Sequence, residues 1–504
     1  MHVLLEVDET TCVIRRATAR VRGRGVAFAA ASALCEAAEG RTVLAAAALG
    51  LKTIHPDFAV MDDEDRERAL VVEDGFHHAL GRWVVARARA RSLGAAPTAV
   101  VDQQLHALVA MSGGVDSAIA LHTARGTIDL GNNGGAAARV PAELRPVAGV
   151  TLRLWIDPKA PDPDAACCAP DSVRRARHTC HDAGVPHLGI DLRTQFAAKV
   201  VGPFVAAYAS GETPNPCVRC NGEFRLDELV AIADAVGAPT VVTGHYVRTV
   251  ERDGVSLAQR AVDPSKCQAY MLASLAPATL ARLRFPLGGQ LKLRTREQAA
   301  GLGLVQATVR DSQDVCFLGG GDYRPFLARA GGLGITGTLQ TREGRVVGVH
   351  DGIARFTPGQ RKGLSVGGES PFGGGAWYVL DVDPESGVVT IGGRTELATH
   401  VVLVDDVAWH APGAVPERAF AQLRYRTREG AAACRVIEPD ADGEPWQLIF
   451  DAPVSGVAPG QVACVFDADG VVLGAGRILR GARPLVQEGP LARTSKLEPL
   501  GTTV

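Results

Sequence analysis

Residues 105–117 read LHALVAMSGGVDS, an apolar, strand-like run that drops into two glycines, an aspartate and two serines before AIALHTA opens a helix. In a strand, glycine-rich turn and helix N-terminus, successive backbone N–H groups converge on one point and present partial positive charge to an anion. Gly113 and Gly114 let the main chain approach a ligand without a Cβ in the way. Ser112 and Ser117 offer hydroxyl donors. The loop lacks the Gly-Lys-Ser/Thr ending of the cradle used for γ-phosphoryl transfer, which argues against that chemistry. Taken alone, the same residues also suit an ordinary strand–turn–helix junction, with Gly and Asp serving turn and cap.

Outward from this loop the chain alternates strand and helix, the pattern of a parallel sheet covered on both faces. VAGVTLRLWID, PHLGIDL and APTVVTGHY read as strands, and SVRRARHTCHDAG and RLDELVAIADAVG as helices. Ligands gather at the carboxyl ends of such strands, so SGGVDS, the end of VTLRLW and TGHY (243–246) are expected to face one crevice. The run 126–146, rich in Gly, Ala and Pro, reads as a surface insertion. Residues 1–100 read as a separate small α+β unit: a strand pair around VDETTCVIRRATARVRG, an Ala-rich helix ending at Gly40, a buried helix over 43–51 and a longer helix around 66–90. The α/β unit is placed at 104–285. Linker helices and a small β unit with closely spaced turns follow at 286–400, a β-barrel at 401–481, and a tail at 482–504 without periodicity, expected to be disordered.

A chain of 504 residues suggests roughly three domains. Its formal charge of −2 neither announces nor excludes a nucleic-acid partner, so any basic surface must be local. No stretch is long and apolar enough to span a bilayer, and the N-terminus is acidic where a signal peptide would be basic. Eleven cysteines without the spacing of a secreted disulfide framework point to a reducing, cytoplasmic compartment. Two of them stand in GETPNPCVRCN (211–221), where Pro214 and Pro216 remove backbone donors and are expected to hold Cys217 and Cys220 on a stiff, extended loop. Such a pair serves as a redox dithiol, half of a zinc site or part of an iron–sulfur site. Zinc would need two further ligands, and no second Cys-x-x-Cys exists.

SGGVDS resembles the signature of the PP-loop ATP pyrophosphatases, which adenylate a carbonyl oxygen and expel pyrophosphate. Followed in order by TPNPCVRCN, TGHY, DPSKCQAYML, DSQDVCFL, TPGQRKGL and LRYRT, it resembles the tRNA-uridine 2-sulfurtransferases over residues 105 to about 480. The resemblance implies a PP-loop α/β domain, a small β domain and a C-terminal β-barrel. It also implies replacement of the C2 oxygen of the wobble uridine, U34, by sulfur, with ATP and Mg2+, acting on tRNA and supplied by a sulfur-donor protein. A monomer or weak dimer is expected. By the same resemblance Ala110, Met111, Ser112, Gly113, Gly114, Val115, Asp116 and Ser117 wrap the phosphates, Leu152 touches adenine and Gly244 passes close to the nucleotide. Asn215, Pro216 and Cys217 meet the target base, and His245, Lys266, Cys267, Gln268, Arg424, Tyr425 and Gln461 contact tRNA. Cys316 carries the persulfide, and Cys220 assists sulfur release and can close a disulfide with it.

Two departures matter. Cys267 replaces the family's usual Asp, and Cys217 stands where part of the family has Asp. The thiolates of Cys217, Cys220 and Cys316 would suit a [4Fe–4S] cluster with one open iron, so persulfide and cluster remain rival readings. RGRGVAFAAASAL and LVVEDGFHHALGRW resemble the iron–sulfur scaffold proteins, but Arg24 stands where they carry a cluster cysteine and none lies near Arg68. A docking or stabilising remnant is expected there. The rival functions are a catalytically silent tRNA- or cluster-binding protein and another PP-loop ligase; the ligase leaves Cys220 and Cys316 unexplained.

Overall fold

The computed structural model describes residues 2–23, 25–55, 57–94, 104–128, 144–161, 169–309, 315–364, 366, 376–425, 430–441 and 443–481. Most of the insertion expected at 126–146, the tail from 482, and Cys167 and Cys168 lie outside them. The N-terminal strand pair is β1 (His2–Val7) with β2 (Ile14–Arg20), followed by α1 (Gly25–Ala38), α2 (Val43–Ala46), α3 (Leu51–Ile54) and the 30-residue α4 (Asp63–Ser92). The single helix expected over 43–51 is divided, because Gly50 is extended (φ −134°, ψ 144°) and starts α3 anew.

Next come β3 (Ala107–Ala110), α5 (Val115–Arg125), β4 (Val147–Arg153), α6 (Pro170–Asp182) and β5 (His187–Asp191). Helices α7 (Arg193–Phe196), α8 (Gly202–Ala209), α9 (Pro216–Cys220) and α10 (Leu226–Val236) follow, with π turns at Ala197–Val201 and Asn221–Arg225 joining them in pairs. Then come β6 (Val241–Val242), a hairpin of β7 (Val247–Arg252) and β8 (Val255–Arg260), α11 (Pro277–Ala281), β9 (Leu283–Arg284), α12 (Lys292–Gly301) and α13 (Tyr323–Arg329). The parallel sheet runs β5-β4-β3-β6-β9, and its Val-, Leu- and Ala-rich strands are buried because helices cover both faces. Strand order reverses between β3 and β6, so the crevice at that switch point receives both SGGVDS and TGHY.

Helix α12, expected with the central unit, packs instead on α5 beside the phosphate loop. The central unit is the sheet β11-β10-β13-β12, from β10 (Gly337–Gln340), β11 (Val346–His350), β12 (Tyr378–Val382) and β13 (Val389–Gly392). Six strands close the C-terminal barrel in the order β14-β17-β16-β15-β18-β19: β14 (Ala398–Trp409), β15 (Arg418–Gln422), β16 (Ala432–Ile437), β17 (Trp446–Ser455), β18 (Val462–Phe466) and β19 (Val472–Ile478).

The N-terminal unit is welded to the α/β unit. Leu34, Phe76 and Leu80 share one continuous apolar core with Leu188 and Ile190. Helix α4 crosses β5 so closely that a Cβ on Gly81 would fall 2.0 Å from the Gly189 carbonyl oxygen. Ala47 O accepts from His187 N at 3.0 Å at the sheet edge. Buried Arg177 of α6 pairs with Glu73 at 2.9 Å and Asp74 at 2.8 Å, while Arg174 reaches Asp74 and Glu67, each at 2.8 Å. Glu73 also accepts from Leu51 N at 3.0 Å, so this buried charge is shared among several donors.

Candidate active site

Ala110 ends β3, and Met111 N donates to Val150 O at 2.7 Å before the chain turns. Gly113 adopts φ +75°, and a Cβ there would lie 2.5 Å from Ser172 O of α6. Gly114 starts α5 with its φ at −92°, followed by Val115 and Asp116 in the first turn. Ser117 turns inward: its Oγ accepts from Ser112 N and Ser112 Oγ, both at 3.2 Å, and donates to Gly114 O at 2.9 Å. It therefore braces the loop from inside. Gly244, beyond β6, sits where a Cβ would come within 2.8–2.9 Å of Asp116 C and Ser117 N. Leu152 is buried in the core along β4. Glycine at both positions brings bare main chain against the N-terminus of α5, an arrangement that suits phosphate, and the Asp116 carboxylate beside it suits a divalent cation.

The sequence reading missed what holds Asp116. Lys292 Nζ, on the first residue of α12, lies 2.6 Å from Asp116 Oδ1 and 2.7 Å from Oδ2. Tyr246 OH donates to Asp116 Oδ1 at 3.2 Å and lies 2.7 Å from Thr295 Oγ1. Burial, reinforced by the Asp116 charge, raises the Tyr246 phenol above its ordinary range and keeps it a neutral donor. The backbone of Lys292 is fixed in turn, its N–H donating to Asp263 Oδ2 at 2.9 Å. The one available signal was a lysine standing in an arginine-rich chain.

The cysteine segment differs from the stiff loop expected of it. Pro216 begins α9, where a missing N–H costs nothing, and Asn215 Oδ1 caps the helix by accepting from Cys217 N (3.1 Å) and Val218 N (3.2 Å). Cys217 is half-buried and Cys220, one turn on, is buried. Cys316 opens a short 3₁₀ turn, Cys316–Leu318. The two segments meet across an aromatic cluster, with Phe196 centred 6.0 Å from Phe224 and 5.9 Å from Phe317. Among the described residues no three or more His, Cys, Asp or Glu side chains assemble into a group that could hold a metal ion.

The remaining residues divide between surface and brace. His245 accepts or shares a proton with Thr243 Oγ1 at 2.8 Å, and burial, with Arg225 nearby, pushes its pKa down to about 3, leaving a neutral ring. Cys267 Sγ accepts from Ala261 N at 3.4 Å, and Gln268 Oε1 accepts from Tyr246 N at 3.0 Å. Lys266 N donates to Asp263 O at 3.3 Å. Gln461 Nε2 donates to Thr213 O at 2.6 Å, and Thr213 Oγ1 donates to Thr357 Oγ1 at 3.1 Å. Arg424, half-buried just beyond β15, donates to Pro358 O at 2.9 Å, and the Tyr425 ring lies 6.1 Å from that of Tyr270. Loops from the central unit and the barrel thus converge on Thr213, at the start of the segment that carries Cys217 and Cys220.

An open parallel sheet with a glycine-rich phosphate cradle at its switch point, lacking the γ-transfer lysine ending, defines a PP-loop ATP-using enzyme fold. Comparisons agree: residues 105–320 match the family described as tRNA methyl transferase HUP domain, 325–393 the tRNA methyl transferase PRC-barrel domain, and 399–478 the aminomethyltransferase beta-barrel domain. The tRNA-specific 2-thiouridylase MnmA of Sorangium cellulosum is 38% identical over 379 residues, covering 74% of this chain and 92% of that protein. Those of Solibacter usitatus and Acidithiobacillus ferrooxidans are each 37% identical, covering 73% and 72% of this chain and 98% and 95% of their own length. The chain belongs to the tRNA-specific 2-thiouridylase family. No helix among the described residues is long and apolar enough to cross a membrane.

Proposed function

We propose that this protein catalyses ATP-dependent 2-thiolation of the wobble uridine of tRNA in the cytoplasm, with sulfur delivered by a persulfide-carrying donor protein. The observation that supports it most is the meeting of the Cys220 and Cys316 segments across Phe196, in the α/β unit whose phosphate loop holds Asp116. A uracil carbonyl is a poor electrophile with a poor leaving group, so O2 first attacks the α-phosphorus of ATP and pyrophosphate departs. Mg2+, held by Asp116, would supply charge neutralisation on the phosphates. The terminal sulfur of a Cys316 persulfide then attacks C2 and AMP leaves. Cys220 thiolate attacks Cys316 Sγ, the S–S bond to the transferred sulfur breaks, and that sulfur stays on C2 while a Cys220–Cys316 disulfide forms. A thiol reductant resets the pair.

Asn215, Pro216 and Cys217 are read as meeting the flipped base, with Arg424, Tyr425, Gln461, Lys266 and neutral His245 facing the RNA. The N-terminal unit is read as stabilising, given its buried ion pairs to α6. Cluster chemistry is the second reading of Cys217, Cys220 and Cys316. Iron-free protein supplied with ATP, a persulfide donor and a uridine-34 tRNA tests the reading. Cys316→Ser and Cys220→Ser are each expected to lower thiolation at least 100-fold while pyrophosphate release from ATP persists. Thiolation that requires about four irons per chain and vanishes in Cys217→Ala would favour the cluster. Full activity of Cys316→Ser would return a ligase or a binding protein.

A further inference from the structure

Lys292 is placed where a divalent cation would be expected. Its ammonium straddles both oxygens of Asp116 at 2.6 and 2.7 Å, and its side chain is only 10% exposed. The stem runs past the Tyr246 ring, with Nζ 5.7 Å from the centroid. Its backbone is pinned by Asp263, whose other oxygen accepts from Ser265 N at 2.9 Å. A rigid root under a flexible four-carbon stem lets the charged head move while the helix stays fixed. Two cations cannot occupy one carboxylate face without strong repulsion in a partly buried site.

We infer that Lys292 is an exchanging cation. In the nucleotide-free protein it holds the Asp116 carboxylate and keeps divalent metal off it. When the metal arrives with a nucleotide, the ammonium passes to the phosphate oxygens beside Gly113 and Gly114 and leaves Asp116 to the metal. Metal binding thereby becomes conditional on nucleotide. This rests on the reading of the loop as an ATP site.

The test titrates the full chain with Mn2+ in the absence of nucleotide, reading free Mn2+ by electron paramagnetic resonance, and with a fluorescent ATP analogue plus Mg2+. Lys292→Met, which keeps an unbranched stem, is expected to bind Mn2+ at least tenfold more tightly than wild type and the nucleotide at least tenfold more weakly. Opposite shifts from one substitution are not produced by general loosening, which weakens both. Adding Asp116→Asn to Lys292→Met should abolish the gained Mn2+ site, and thermal melts check that both variants fold. Unchanged Mn2+ affinity in Lys292→Met, or a loss of both affinities, overturns the inference. Failure of wild type to bind the nucleotide at all would instead overturn the reading of the loop, while the Mn2+ arm still reports whether Lys292 guards Asp116.

Discussion

Gly113 and Gly114 stand side by side in the loop and are glycines for different reasons. Gly113 needs a positive φ and faces the Ser172 carbonyl, so a methyl group there has neither conformation nor room. At Gly114 a Cβ would meet only Ser112 Oγ at 3.5 Å, an ordinary contact, so the protein itself has space there and only the proposed phosphate would exclude a side chain. Gly113→Ala is therefore expected to cost about 1–3 kcal/mol of stability. Gly114→Ala should keep the wild-type melting temperature and lose Mg·ATP affinity. Melts and nucleotide titrations separate the two, and wild-type ATP binding by Gly114→Ala would move the phosphates away from that residue. Both glycines were legible in the sequence because a phosphate turn is a local object. Lys292 was not, since it lies 176 positions from Asp116 and nothing near it spells out its partner.

At the scale of elements, the junction of α4, α6 and β5 buries His77 and His187 and half-buries His181, all in neutral form. His77 Nε2 lies 2.9 Å from Leu49 O, His181 Nε2 3.0 Å from Ala47 O, and His187 Nε2 2.8 Å from Thr151 Oγ1. Burial, with Arg177 adding repulsion, holds all three below their ordinary value of 6.5. As pH falls through 6.5 the unfolded chain takes up protons that the folded one refuses, so stability is present above that pH and lost below it. The loss is about 1.4 kcal/mol per pH unit for each histidine that stays neutral. The urea midpoint is thus expected to drop between pH 7.5 and 5.5, less steeply in His77→Gln; a flat profile would place these rings in solvent. Periodicity marked α4 and α6 as helices, and the proline rule located α9 while mistaking its conformation. Pro216 forbids a helix interior but favours a first turn, and only the Asn215 cap decides between the two.

Across the whole molecule, the segment carrying Cys217 and Cys220 is held from three sides, by Gln461 of the barrel, Thr357 of the central unit and the α/β core. Arg424 closes the ring, its guanidinium packed between Gly359 and Gly456 and bonded to Pro358 O, with burial lowering its pKa from the ordinary arginine value. Arg424→Met is expected to lose about 1.5–3 kcal/mol of stability in urea unfolding, because a charged donor is removed from a buried carbonyl, and to speed proteolysis of the central unit. A loss confined to tRNA affinity at unchanged stability would instead remove the bracing role and leave Arg424 an RNA contact alone. The sequence by itself determined the phosphate loop, the alternating sheet unit, the two β units and the family, because each is written in short windows or in an ordered run of them. Only the tertiary structure decided that Lys292 meets Asp116, that α12 belongs beside the loop, and that the N-terminal unit shares the α/β core. Those outcomes depend on how distant surfaces close over one another, and packing of that kind leaves no period and no motif in the chain.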